Sequence, residues 1–163
     1  MGVILAPDYQ KFENPLVFLA GPIPGAEDWQ GKAISLILAG DPSLDIASPR
    51  GDYSQREFVY DEQVDWETHY LNEAAGTGGI LFWLANEKEH DCGRAFAQTT
   101  RFELGEWLTK YSQNKSFVMS IGIEDGLTGD RYLRRRIMQD YPELHISSTL
   151  EGVCGNMVDK LNS

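Results

Sequence analysis

"GILFWLA" (residues 79–85) is the most apolar stretch of the chain, and its reading decides the fold. It is too short for a buried helix, and its apolar residues run on without alternation. Such a run reads as a strand covered on both faces, the usual state of a central strand in a parallel sheet. Working outward, "LVFLA" (16–20) is a second run of this kind, ended by the breaker-rich "GPIPG" (21–25). "WQGKAISLILAG" (29–40) then reads as a helix, "LDIAS" (44–48) as a strand stopped by Pro49, and residues 61–75 as a second helix. Beyond the central strand come the loop "NEKEHDCGRA" (86–95), a helix over 99–112 and the strand "SFVMSIGI" (116–123). A short arginine-rich helix, an edge strand near "LHISS" (144–148) and a last helix near "LEGVCGNMVDKLN" (150–162) complete the chain. Strands that alternate with helices imply right-handed crossovers. The expectation is one domain over residues 1–163, a three-layer, doubly wound α/β fold on a mainly parallel five-stranded sheet.

Composition bounds the function. The 163 residues are 42% hydrophobic and 24% charged, which suits an ordinary globular domain. Against 14 Lys and Arg stand 25 Asp and Glu, a formal charge of −11, so phosphate backbones and anionic lipid are repelled. Neither nucleic acid nor membrane is expected as a partner. The basic residues Arg131, Arg134 and Arg135 would share a helix face, suited to pairing with acids of the same or a neighbouring chain. Cys92 and Cys154 make neither a disulfide framework nor a metal spacing, and a reducing cytoplasm is the expected location. No apolar run approaches membrane-spanning length. The N-terminus lacks a signal-peptide pattern, and its Met-Gly start has Ala6 where myristoylation needs Ser or Thr.

In a doubly wound sheet the ligand crevice lies beyond the carboxyl ends of the strands, here the loops that begin at Gly21, Pro49 and Ala85. The first, "AGPIPGAEDWQGK", departs from the dinucleotide fingerprint, because Pro22 and Ile23 follow Gly21 where a second glycine should stand. It also departs from the phosphate-binding P-loop, with Ala33 in place of the magnesium-binding hydroxyl. Its two prolines make it either the stiff wall of a small pocket or a plain rigid turn. "SPRGDY" (48–53) sets Arg50 just past a strand end, where a guanidinium can fork onto a phosphate or carboxylate, or simply pair at the surface. In "DEQVDWE" (61–67), Gln63 and Glu67 share a helix face at i and i+4, and Trp66 reads on these residues alone as core.

"TTRFELGEW" (99–107) leaves two readings open. Thr100 and Glu103 have the spacing of a capping box, in which each side chain caps the other's backbone amide. That reading leaves Gly105 unexplained, since glycine inside a helix costs roughly 1 kcal/mol against alanine. A glycine there suggests the close approach of another element or a ligand.

Taken together and in order, "FLAGPI", "WQ" (29–30), "SPR", "QVDWE", "ILFW" and "FELG" resemble the nucleoside 2-deoxyribosyltransferase-like family over about residues 16–123. The resemblance implies a flavodoxin-like subunit, a homo-oligomer, that exchanges or cleaves the N-glycosidic bond of a nucleoside without metal or other cofactor. It makes Glu103 the nucleophile and Glu67 the carboxyl group that protonates the leaving base. Gly21, Pro22, Ile23, Trp29, Arg50, Gln63, Trp66 and Thr99 fall where such proteins line the substrate pocket. Many deoxyribosyltransferases carry an aspartate six residues before the nucleophile, and here that position is Ala97. The leading expectation is base exchange on 2′-deoxynucleosides through a glutamyl ester. The alternatives are a hydrolase of nucleoside 5′-monophosphates, with Arg50 on the phosphate, and a catalytically silent nucleotide-binding module.

Overall fold

The computed structural model describes residues 2–163; Met1, on which the Met-Gly reading partly rests, lies outside the described residues. The strands are β1 (Val3–Leu5), β2 (Leu16–Ala20), β3 (Asp45–Ser48), β4 (Gly79–Leu84), β5 (Val118–Ile123) and β6 (Ile146–Ser147). Between and after them run the helices α1 (Trp29–Gly40), α2 (Tyr60–Thr77), α3 (Gln98–Gln113), α4 (Asp130–Asp140) and α5 (Leu150–Leu161). Every residue of β2 and β4 is buried, as continuous apolar strands require. Successive side chains go to opposite faces. Phe18, Ile80 and Phe82 join one core with Trp66, Tyr70 and Leu104, while Val17, Leu19 and Leu81 join the other with Trp29, Ile37 and Met157.

All strand pairs are parallel, in the order β1-β3-β2-β4-β5-β6. Apart from β1 this is the flavodoxin-like order, and the chain reverses direction across the sheet between β2 and β4. The sheet thus has six strands rather than five. β1 is the strand the sequence does not announce: it is three residues long, with Pro7 two positions beyond its end, and pairs only at the edge, Val3 opposite Ile46.

Local chemistry sets the helix ends. The Asp28 carboxylate accepts from the Gly31 amide at 3.0 Å to start α1, and the Thr149 hydroxyl accepts from Gly152 at 3.1 Å to start α5. Asp61 and Glu62 lie in the first turn of α2, on the positive end of its dipole. Of the four arginines of α4, Arg134 pairs within the chain with Asp130 at 3.1 Å and Arg136 with Asp140 at 3.0 Å. Among the described residues no helix is long and apolar enough to cross a membrane.

Candidate active site

The loops after β2 and β3 and the start of α3 enclose a pocket of about 510 Å3 at the point where strand order reverses. Its volume suits a small organic ligand. Gly21, Pro22 and Ile23 form one wall, Arg50 and Tyr53 a second, Gln63 and Glu67 on α2 a third, and Thr99 and Glu103 on α3 the fourth. A groove of about 460 Å3 between α2 and α3 adjoins it, and Glu67 and Glu103 line both.

The wall after β2 is held close. A Cβ on Gly21 would lie 2.3 Å from the Trp83 carbonyl oxygen and 2.4 Å from Trp29 Cζ2, so only glycine fits. The indole Nε1 of Trp29 donates to the Pro22 carbonyl at 3.0 Å. Trp29 therefore supports the loop from below, fully buried in the α1 core, and does not line the pocket as the family resemblance implied. Trp66 is the second correction. It is one residue, about 100°, around α2 from Glu67, which turns it into the core against Phe18 and Tyr70. Its Nε1 donates to the Asp8 carbonyl at 2.6 Å.

Arg50 lines the pocket, but its donors are largely taken by the loop it faces. Nε donates to Gln30 Oε1 at 2.8 Å, Nη2 to the carbonyls of Glu27 at 2.9 Å and Ile23 at 3.4 Å, and Asp28 Oδ1 lies 3.3 Å from Nε. It fastens the two loops together. Gln63 is similarly committed: Nε2 donates to the Pro49 carbonyl at 3.0 Å and to Glu67 Oε1 at 2.8 Å, and Oε1 accepts from the Tyr53 hydroxyl.

Glu103 does not belong to a capping box. α3 begins at Gln98 behind Ala97, which has φ of 55° and no side-chain acceptor, so Thr100 is already inside the helix and Glu103 a turn further on. Among the described residues the Glu103 carboxyl makes no hydrogen bond or ion pair. Burial, then the neighbouring carboxylates of Glu67 and Glu106, push its pKa up to about 8. Burial raises Glu67 as well, against the hydrogen bond from Gln63 that favours its ionised form. Gly105 carries no close approach: a Cβ there would meet nothing within 4 Å.

Several lining residues carry no periodic or motif signal and escape a sequence reading: Tyr53, Phe58 and Tyr60 near the mouth, and Arg94 in the loop after β4. A cluster of exposed aromatics, with Phe58 52% and Tyr60 67% accessible, is the only hint, and it appears once the loop is folded. Arg94 makes no ion pair among the described residues, although Glu87, Glu89 and Asp91 share its loop. No group of three or more His, Cys, Asp or Glu side chains converges as metal ligands among the described residues.

Two carboxyl groups in one desolvated pocket, one hydrogen-bonded and one not, form a pair with unequal proton affinities. Such a pair can supply a nucleophile and a proton donor to one substrate. No protein-family model matches the chain, and no curated protein does.

Proposed function

We propose that the protein is an N-glycosyl-bond enzyme of the nucleoside 2-deoxyribosyltransferase-like kind, exchanging the base of 2′-deoxynucleosides. The observation that carries this reading is the Glu67–Glu103 pair facing one nucleoside-sized pocket. Glu103 attacks C1′ of the deoxyribose, and the C1′–oxygen ester forms as the C1′–nitrogen bond breaks through an oxocarbenium-like state. Glu67 gives its proton to the departing base nitrogen, and takes one from the incoming base when the ester is reopened. Arg50 acts through the loop it fastens, and Ile23 and Thr99 shape the sugar and base walls. The enzyme acts as a homo-oligomer in the cytoplasm.

A second reading has one observation in its favour. Arg94 stands at the pocket with no ion pair to its guanidinium among the described residues, which suits hydrolysis of a nucleoside 5′-monophosphate whose phosphate it would hold. The role first expected of Arg50 passes to Arg94, because the donors of Arg50 are engaged.

Incubation with 2′-deoxyinosine and free adenine, followed by chromatography, tests the proposal. New 2′-deoxyadenosine from wild type, absent with Glu103→Ala, is the expected result. Free hypoxanthine alone indicates hydrolysis. Turnover confined to deoxynucleoside monophosphates, and lost in Arg94→Ala, selects the second reading. Tight nucleotide binding without turnover would leave a binding module.

A further inference from the structure

Tyr53 lies in the loop after β3, outside both helices that carry the carboxylates, yet it is joined to one of them through a single side chain. The direction of that connection follows from the acceptors. A backbone carbonyl accepts hydrogen bonds only, so the Pro49 carbonyl turns the amide NH2 of Gln63 toward itself and, with it, toward Glu67 Oε1. The amide oxygen is left pointing the other way, where the Tyr53 hydroxyl donates to it. Turning the amide over would set its oxygen against the Pro49 carbonyl oxygen and its NH2 against the Tyr53 hydroxyl. Tyr53, Gln63 and the Pro49 carbonyl thus form one fixed chain that ends on Glu67 Oε1. Glu103, across the same pocket, has no such partner among the described residues.

Resting on the reading of Glu67 and Glu103 as the reacting pair, we propose that Tyr53 and Gln63 are positioning residues that hold Glu67 ionised and leave the pair's proton on Glu103 before substrate binds. Other charged or titratable groups near Glu67 do not duplicate this role, and Tyr60, which lines the same pocket and groove, makes no hydrogen bond to it among the described residues. Glu106 on α3 pairs with Lys110 at 3.6 Å, Arg50 pairs with Asp28 at 3.3 Å, and Arg94 lies in the loop after β4. Burial acts on both carboxyl groups, whereas a donated hydrogen bond offsets it at Glu67 alone. The proton must therefore move once when substrate arrives. The Glu103 O–H bond breaks and an O–H bond forms on Glu67, leaving Glu103 as the anion that attacks C1′. The same proton then passes from Glu67 to the base nitrogen as the glycosidic bond breaks, which leaves Glu67 ionised again.

The test is a carboxyl carbon titration by nuclear magnetic resonance on the full chain, labelled at glutamate Cδ. Glu67→Gln and Glu103→Gln provide the assignments. In wild type Glu67 should titrate at lower pH than Glu103. Gln63→Leu should raise the Glu67 midpoint by about one pH unit and lower that of Glu103, since the proton then divides more evenly. Tyr53→Phe, which removes one oxygen, should move both in the same directions by about half as much. Wild-type midpoints in the reverse order, or unmoved midpoints in Tyr53→Phe, would overturn the proposal, and the second outcome decides even where Gln63→Leu does not fold. Because the titration needs no substrate, shifted midpoints in a protein that turns over neither nucleosides nor their monophosphates would leave the relay standing and remove the proposed function. Where base exchange is present, the acid limb of its pH profile should shift upward with the Glu67 midpoint, which a purely structural role for Tyr53 would not produce.

Discussion

The two faces of the sheet are built from the same materials and put to different uses. On one, α1 and α5 cover the strands with Trp29, Ile37, Val153 and Met157. On the other, α2 and α3 do so with Trp66, Tyr70, Leu104 and Trp107. Each face has one fully buried tryptophan whose N–H is satisfied by a loop carbonyl, Pro22 for Trp29 and Asp8 for Trp66. Among the described residues, only the α2–α3 layer also carries two largely buried carboxyl groups with no cation partner. Such groups oppose folding. The difference teaches where the rules of stability are suspended, and that place is the pocket.

The largest effects should show the two faces to be equal as cores. Trp29→Ala and Trp66→Ala should each cost about 3–5 kcal/mol in denaturant unfolding, through lost burial and the cavity left behind. A loss below about 1 kcal/mol for either would mean that its face is not a core. Trp29→Ala should in addition weaken ligand binding, because it removes the support beneath Pro22.

The next effect should appear on one face only. The pKa of Glu103 is raised in the folded protein, so the folded state retains a proton that the unfolded chain has already released. Its contribution is therefore fully present below the ordinary value of 4.5 and is lost as pH climbs through about 8. The loss is on the order of 3 kcal/mol once partial solvent access to the pocket is discounted. Melting temperature should fall across this window, and Glu103→Gln should flatten most of the fall while abolishing turnover. An equally steep fall in Glu103→Gln would place the titrating group elsewhere. The smaller slope that remains should belong to Glu67, whose pKa is raised in the same direction.

Gly21 offers a test on the α1 side. A methyl group there would lie 2.3 Å from a backbone oxygen that cannot move aside, so Gly21→Ala should destabilise by about 1–3 kcal/mol and deform the pocket wall. Unchanged stability and ligand affinity would show that the loop yields and is not a stiff wall.

The same division explains what the sequence discloses. Four core strands and all five helices are legible because burial on both faces leaves uninterrupted apolar runs, and burial on one leaves helical periodicity. β1 is not, since three residues at a sheet edge carry too little pattern. Glu67, Glu103 and the loop after β2 fall within ordered motifs, and the fold brings them to one pocket. Trp29 and Trp66 belong to the same motifs for a different reason, packing, which motif order cannot separate from contact with a ligand. Tyr53 and Arg94 have no pattern of their own, because a loop's destination is set by the elements it joins. The spacing of Thr100 and Glu103 suggests a cap only until the helix start is known, and the start depends on Ala97 taking a left-handed conformation that its residue type does not advertise.

The smallest effect concerns Gly105, which the cost of a helical glycine suggests is kept for a close neighbour. In the single chain its Cβ position opens onto empty space on the outer side of α3, with Phe102 of the same helix 75% accessible. Gly105→Ala should therefore stabilise the single chain by up to about 1 kcal/mol, the helix-propensity difference alone, with the proposed base exchange unaffected. The opposite outcome would be more informative than its size suggests. A loss of stability that grows with protein concentration would mean that alanine obstructs something absent from the single chain, and a second copy seated on α3 would then be what the glycine is kept for.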